Sequence, residues 1–467
     1  MSVRAVAAVD LGATSGRVMI GRVGDGTLDL ELVSRFPNGP VQREDGLHWD
    51  FGALYEHVVA GLAEAVRREP SIESIGIDSW AVDYGLLSEG ELLAEPFHYR
   101  DARGERGVSE VHAIVPFDEL YGRNGLQLLP FNTLYQYRVD TGIADADMAL
   151  LIPDLIAYLL TGTAVAERTN ASTTGLVSVA TSEWDLELAE RLSIPTSILP
   201  PLVDPGTVIG TLRAELAERI GTQLPVIAVG SHDTASAVVA VPLASADSAY
   251  ISCGTWGLVG LELDAPRVTD AARAANFTHE LGVDGRFRFL HNVTGLWLLS
   301  ETVRAWEAED GAPIDLPQLL VAASEVAGEI PLFDANDASL SAPGDMPARI
   351  AALLGGRTPG SRPAFARSIV ESIAAAFADA VRTASALSGR EIDSIHLVGG
   401  GSLNRLLCQA TADRTGLPVF ARPVEATALG NVLVQARALG SAPATLEELR
   451  ALVAATHEPV RYQPART

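Results

Sequence analysis

The chain opens on a short apolar run, Val6-Ala7-Ala8-Val9, which meets the turn-forming stretch Asp10-Leu11-Gly12-Ala13-Thr14-Ser15-Gly16 and resumes as Arg17-Val18-Met19-Ile20. Short apolar runs bounded by glycine and small polar residues predict a strand, a tight turn and a second strand. Half a chain later the pattern returns: Ala249-Tyr250-Ile251-Ser252, then Cys253-Gly254-Thr255-Trp256-Gly257, then Leu258-Val259-Gly260. Such a recurrence predicts two halves built on related hairpins. Between and after them, apolar runs lead into helical ones. Ile75-Gly76-Ile77 runs into Asp78-Ser79-Trp80, and Pro225-Val226-Ile227-Ala228-Val229 into Ser231-His232-Asp233 and an Ala-rich helix. Ile369, Ile373 and Phe377 recur at fourfold spacing and predict an amphipathic helix from Ser368 to Ser388. A strand Ile395-His396-Leu397-Val398, the triplet Gly399-Gly400-Gly401 and a helix from about Leu403 follow. Strands alternating with helices predict an α/β fold.

A chain of 467 residues exceeds one ordinary core. The stretch Pro242-Leu243-Ala244-Ser245-Ala246 is the expected boundary, giving domains at 1–243 and 244–440 and a terminal helix and tail at 441–467. The hydrophobic fraction of 48% and the even spread of Gly, Pro and charge are those of a globular protein. The most apolar stretch, Ala149 to Leu160, is broken by Pro153 and Asp154, and the first apolar stretch meets Asp10 too soon for a signal peptide, so a cytoplasmic protein is expected. A formal charge of -25 argues against nucleic-acid or anionic-membrane partners. The two cysteines, Cys253 and Cys408, lack metal-ligand spacing and read as buried thiols. There is no lysine; all 34 basic residues are arginines. That excludes the P-loop lysine, the protein-kinase lysine and Schiff-base chemistry.

Without lysine, phosphate is held by backbone N–H groups of tight turns, small hydroxyls and a metal ion. The first hairpin offers Gly12 and Gly16 for close backbone approach, the hydroxyls of Thr14 and Ser15, Arg17 to face a phosphate, and Asp10 to hold Mg²⁺ through water. Gly254 and Thr255 add a second hairpin, and the Gly399-Gly400-Gly401 turn suits adenosine or a plain connection. Asp233 stands where a strand meets a helix, a place for a helix cap or for a rigidly held general base. His232 reads as a hydrogen-bonding histidine. Asp78, Trp80 and Asp83 fit either a sugar-binding wall of carboxylates and indole or turn caps and core, and Arg100 and Arg103 fit an ion-pair network.

In this order the blocks resemble the FGGY carbohydrate kinases of the actin-like ATPase superfamily, most closely the rhamnulokinase branch. The resemblance runs from Val9-Asp10-Leu11-Gly12 to Glu425-Ala426-Thr427-Ala428-Leu429-Gly430-Asn431, through Gly76-Ile77-Asp78-Ser79-Trp80, Pro130-Phe131-Asn132-Thr133-Leu134-Tyr135-Gln136, Ser231-His232-Asp233-Thr234-Ala235-Ser236-Ala237 and Gly295-Leu296-Trp297-Leu298-Leu299. It implies two actin-like (ribonuclease H-like) domains flanking a catalytic cleft, closing by a hinge, with sugar against the first and adenosine against the second. It implies an ATP loop on Ala13, Thr14, Ser15, Gly16 and Arg17, further nucleotide contacts at Thr255 and Gly400, and a catalytic base at Asp233. Sugar contacts are implied at Ala81, His232, Thr234 and Asn292. Ala81 stands where the family has Gly, and Ser300 where it has a nucleotide-contacting Gln. The implied reaction is ATP- and Mg²⁺-dependent phosphorylation of L-rhamnulose to its 1-phosphate in rhamnose catabolism. The alternatives are a kinase of another ketose, such as L-fuculose or xylulose, or a non-catalytic ATP- and sugar-gated sensor. Oligomeric state is not legible in the sequence.

Overall fold

Both glycine turns join the strands of hairpins. The computed structural model describes residues 2–24, 26–243 and 245–465. Strand β1 (Arg4–Leu11) pairs antiparallel with β2 (Ser15–Gly24), which pairs antiparallel with β3 (Thr27–Pro37). Helix α1 (Phe51–Arg68) packs on this meander and leads to β4 (Ile72–Ser79), parallel to β1. With β5 (Val208–Thr211) and β6 (Pro225–Ile227) the sheet runs β5-β6-β4-β1-β2-β3. From Ala5 onward β1 is buried on both faces, which is why it reads as a continuous apolar run and not as an alternation. Helix α2 (Asp233–Val239) follows β6.

The second half repeats the plan. Strands β7 (Ser248–Cys253) and β8 (Trp256–Leu263) form the hairpin, and β9 (Thr278–Leu281) and β10 (Phe287–Thr294) follow. Helices α3 (Trp297–Asp310) and α4 (Arg362–Ser388) precede β11 (Ser394–Val398), which lies parallel to β7. Helix α5 (Arg405–Thr415) leads to β12 (Val419–Ala421), then come α6 (Ala426–Ala438), α7 (Leu446–Thr456) and β13 (Val460–Tyr462). The order β10-β8-β7-β11-β12 repeats β3-β2-β1-β4-β6: a three-strand meander extended by two parallel strands. The hairpin repeat read from the sequence is therefore a repeat of whole sheets, as the α/β expectation required.

By contacts the chain groups into two units: Met1–Pro242 with Glu262–Phe289 and Ala426–Thr456, and Leu243–Leu261 with Leu290–Glu425 and His457–Thr467. This differs from a single division at 243/244, because two later segments return to the first unit. Residue 244, where the second domain was expected to begin, lies outside the described residues. The reason for the return is polar and steric. Gln435 of α6 donates to the Ala7 carbonyl of β1 and accepts from Ser74 of β4. Gly430 lets α6 lie against α2, where a Cβ would fall 1.7 Å from the Ser236 carbonyl oxygen. The expected tail at 441–467 likewise divides, with α7 in the first unit and β13 pairing with β12 in the second. The expected helix at Ser368–Ser388 begins earlier, at Arg362 after the Ser361 cap. The helix expected from Leu403 starts at Arg405, after a short 3₁₀ turn over Gly400–Leu403. Among the described residues no helix is long and apolar enough to cross a membrane.

Candidate active site

Three strand or helix ends of the first unit carry carboxylates. Asp10 lies one residue before the end of β1, directly opposite Asp78 of β4, and Asp233 is the first residue of α2. Asp10 and Asp78 are buried, and each has one oxygen without a hydrogen-bond partner, Oδ2 and Oδ1 respectively. Burial raises the pKa of Asp10; Arg17, 3.6 Å away across the hairpin, opposes the rise and Asp233 adds to it. Burial raises Asp78 well above the usual carboxylate range, and Asp10 pushes it further, against a 2.6 Å hydrogen bond from the Asn431 amide of α6. Asp233 keeps 31% side-chain exposure, yet the protein around it still raises its pKa, against the opposing pull of His232 and Thr234. Like charges held together in this way mark a site built for something other than stability.

The cap alternative for Asp233 does not hold. His232 occupies the N-cap position, and the Asp233 carboxylate accepts a 3.1 Å bond from the Thr234 hydroxyl through Oδ1. His232 Nε2 lies 3.4 Å from that same Oδ1, and His232 Nδ1 lies 3.4 Å from Oε2 of Glu280 on β9. The loop before Asp233 is tied down by Glu167, which is buried and accepts from both the N–H and the hydroxyl of Ser231 at 2.9 Å. The Ser231 carbonyl in turn accepts from the Ser79 N–H at 2.9 Å, joining the Asp233 loop to the Asp78–Asp83 segment.

Of the two readings of Trp80 and Asp83 in that segment, sugar wall or turn caps and core, their burial favours the core. Asp83 accepts from the indoles of Trp49 and Trp80 at 2.7 and 3.0 Å, from the Tyr99 N–H at 3.1 Å and from Gln136 at 3.2 Å. Burial pushes Asp83 up to about 6 in spite of these donors. The Trp80 ring packs on Trp49 with centroids 4.0 Å apart. Asp83 and Trp80 thus lie in the interior, and Ala81, half-buried, is the residue of the three left nearer the surface. Arg103 is the ion pair expected, 3.0 Å from Asp140.

In the first hairpin, Gly12, Ala13 and Thr14 form the turn, closed by the Gly12 N–H to the Ser15 carbonyl at 3.0 Å. Asn38 clamps it, donating its amide to the Gly12 carbonyl and its N–H to the Thr14 carbonyl. Thr14 is exposed and Ala13 and Ser15 are half-buried. Gly16 is buried, and a Cβ there would fall 2.2 Å from the Phe36 ring. Packing alone already requires glycine there.

The second unit holds Thr255, Gly400, Asn292 and Ser300. The turn carbonyls of Gly254 and Thr255 accept from the N–H groups of Leu296, Gly295 and Trp297, so the Gly295-Leu296-Trp297 block is the brace of this hairpin. Thr255 and Asn292 are half-buried and Ser300 is exposed on α3. The glycine triplet divides its tasks. Gly399 takes a positive φ of 80°, Gly401 would place a Cβ 2.4 Å from the Cys253 sulfur, and exposed Gly400 has open space around it. Both cysteines are buried and free, as expected.

Among the described residues no group of three or more His, Cys, Asp or Glu is placed to hold a metal ion directly. The Oδ2 of Asp10, which accepts no hydrogen bond and lies 3.6 Å from Arg17, fits a hydrated cation bound through water. Sequence reasoning missed Glu167, Glu280, Arg288 and the role of Asn431. Only Asn431 carried a signal, at the end of a quoted block; the others sit on strands or turns without a motif of their own.

Residues 5–240 match the N-terminal domain, and residues 249–439 the C-terminal domain, of the FGGY family of carbohydrate kinases. A rhamnulokinase of Bacteroides thetaiotaomicron is 40% identical, the match covering 93% of this chain and 91% of that protein. A rhamnulokinase of Pectobacterium carotovorum is 40% identical across 99% and 94%. Among solved structures, a gluconate kinase from Lactobacillus acidophilus superposes with a TM-score of 0.81 at 18% identity, covering 99% of this chain and 94% of that one. Plasmodium falciparum glycerol kinase with ADP gives 0.77 at 15%, with the same coverage. The chain belongs to the FGGY family of carbohydrate kinases and is an ATP-dependent sugar kinase of α/β fold.

Proposed function

We propose that the sugar is L-rhamnulose, phosphorylated at its 1-hydroxyl, and that Asp233 is the general base. The observation that carries the substrate is the 40% identity to rhamnulokinases over nearly the whole chain; the gluconate and glycerol kinases are too distant in sequence to speak for more than the fold. Support for the base comes from the partly exposed Asp233 carboxylate, fixed by Thr234 and His232 and raised in pKa towards the range where a base works near neutral pH. Asp233 takes the hydroxyl proton as the sugar oxygen attacks the γ-phosphorus in line. The new O–P bond forms as the bond to the β-phosphate oxygen breaks, and ADP leaves. Thr14, Ser15 and Thr255 offer hydroxyls and turn N–H groups to the phosphates, and Gly400 offers open backbone to adenosine. Arg17, paired with Asp10, supplies positive charge beside the phosphate turn. Mg²⁺, held through water at Asp10, would neutralise phosphate charge. Ala81, His232, Thr234 and Asn292 would contact the sugar. The working place of such an enzyme is the cytoplasm, where ATP is.

A second reading, a kinase of L-fuculose or xylulose, draws on one feature: Ala81 adds a methyl where the family has Gly. An ADP-release assay over a panel of ketoses, polyols and aldoses separates the two. The proposal expects the highest kcat/KM on L-rhamnulose; an equal or better rate on another ketose would overturn the substrate. Asp233→Asn is expected to bind sugar and nucleotide but to lose roughly 10²-fold or more in turnover.

A further inference from the structure

Behind His232 the first unit buries a pair of opposite charges. Arg288, on β10, is fully buried. Its Nε and Nη2 donate to the Leu281 carbonyl at 3.1 and 3.0 Å, Nη2 also reaches the Thr169 carbonyl at 3.4 Å, and Nη1 lies 3.0 Å from Oε2 of Glu280. Glu280 is buried too; burial alone would raise its pKa, but Arg288 and His232 outweigh that and lower it. The same Oε2 faces His232 Nδ1. Arg288, Glu280, His232 and Asp233 therefore form a line in which, when both imidazole nitrogens carry protons, every contact joins opposite charges.

A buried ion pair is a poor source of stability, because apolar residues of the same volume serve as well. Its value lies in fixing geometry. Two side-chain contacts on Asp233 fall on the same oxygen: His232 Nε2 and the Thr234 hydroxyl both address Oδ1. The other oxygen, Oδ2, is the one left for a substrate proton. An imidazole turned away from Asp233 would leave the carboxylate to rotate, and the two oxygens would exchange places.

Resting on the reading of Asp233 as base, we propose that Glu280, anchored by Arg288, is a positioning residue for phosphoryl transfer. It accepts the Nδ1 proton of His232 and holds the ring so that Nε2 occupies Oδ1 of Asp233, reserving Oδ2 for the sugar hydroxyl. The role has the form of a partner that orients a histidine and, through it, a reacting group.

The test uses two charge-neutral double variants of the full-length enzyme. Glu280→Leu with Arg288→Met removes the pair and the acceptor; Glu280→Gln with Arg288→Met removes the charges but keeps an acceptor oxygen. The first is expected to lose about 10- to 100-fold in kcat with KM for ATP unchanged, the scale of a small misplacement at a reacting group. The second is expected to recover most of that loss. Wild-type kcat in the first variant, or equal losses in both, would overturn the proposal. Should either variant fail to fold, nitrogen NMR of the wild-type enzyme, with the His232 signal identified by its loss in His232→Asn, is expected to show a protonated Nδ1; a bare Nδ1 would overturn the proposal as well. Asp233→Asn keeps the two readings apart. Near-normal turnover there sinks the base itself, whereas a dead Asp233→Asn beside a fully active Leu/Met variant sinks only the role of Glu280.

Discussion

In the first unit the central parallel strands carry two carboxylates one residue before their ends, Asp10 opposite Asp78; at the same place in the second unit Ser252 lies opposite Val398. Across the hairpin the contrast repeats, with Arg17 opposite Asp10 but Leu258 opposite Ser252. Both sheets have the same strand order, so the fold makes no demand for charge at these positions. The acids with raised pKa lie on the same side. Asp10, Asp78, Asp83, Asp154, Glu167 and Asp233 of the first unit are raised, with burial the leading cause, whereas Glu280, buried in the same unit, is lowered by Arg288 and His232. Asp310 and Asp337 of the second unit are lowered, by Arg362 and Ser339 respectively. One copy of the sheet carries strained acidity, and the other offers neutral backbone. Repetition conserves the scaffold and leaves the chemistry to be placed on one side.

The sharpest way to break this contrast is to give the first unit the residue of the second. Asp10→Ser is expected to lower turnover about 10²-fold or more, the cost of losing the carboxylate that would hold Mg²⁺ beside the transferring phosphoryl. Its thermal midpoint is expected to equal or exceed that of the wild type. The substitution removes a buried carboxylate that repels Asp78 and Asp233 and whose Oδ2 has no hydrogen-bond partner. Coupled ADP release and a thermal melt read the two quantities. A variant that melts well below the wild type would show that Asp10 holds the sheet, and the contrast would then be structural.

Much of this layout was legible in the sequence, because local rules govern it. Apolar runs stopped by Gly12 and Gly254 gave both hairpins, and fourfold spacing gave the core of α4. What stayed hidden depends on contacts between distant segments. Nothing around Gly16 announces Phe36, and nothing around Asp83 announces Trp49, so a packing glycine and a buried acid could both be read as ligand contacts. Nothing local shows that α6 returns to β1 and β4, which is why a single cut at 243/244 was too simple. Glu280 and Arg288 lie on separate strands and acquire meaning only when β9 and β10 bring them behind His232.

A smaller effect sharpens the contrast through pH. Asp154, buried beside Glu167, has Oδ2 without a partner at the edge of a small cavity that Ser231 also lines. Burial raises its pKa well above 3.8, and the nearby Glu167 adds to the rise. The folded protein therefore holds a proton there that the unfolded chain releases. The stability Asp154 contributes is complete below the unfolded value and is lost as pH rises through the folded one. Asp154→Asn keeps the Oδ1 acceptor for the Glu167 N–H and turns an amide towards the Glu167 carboxylate. It is expected to gain about 1 kcal/mol at pH 7, the usual size of a stabilising change, with the gain shrinking as pH falls towards 4. Denaturant melts at both pH values check this; a gain that is equal or larger at low pH would place the raised acidity elsewhere.

The smallest effect belongs to the neutral unit and separates ligand approach from packing within one glycine triplet. At Gly401 a Cβ would meet the Cys253 sulfur at 2.4 Å, so Gly401→Ala is expected to cost about 1–3 kcal/mol. Cys253→Ala in the same chain removes the sulfur but keeps the Cβ, 2.6 Å from the added methyl, so it should return only part of that cost. At Gly400 a Cβ meets nothing within 4 Å, so Gly400→Ala should fold like the wild type. If its open backbone is where adenosine lies, the added methyl stands between ligand and chain, and KM for ATP should rise a few-fold while KM for the sugar and the melting temperature stay put. An unchanged KM for ATP would mean that Gly400 is open only to water. The triplet would then be a connection required by Gly399 and Gly401, and the second unit would bind its nucleotide elsewhere.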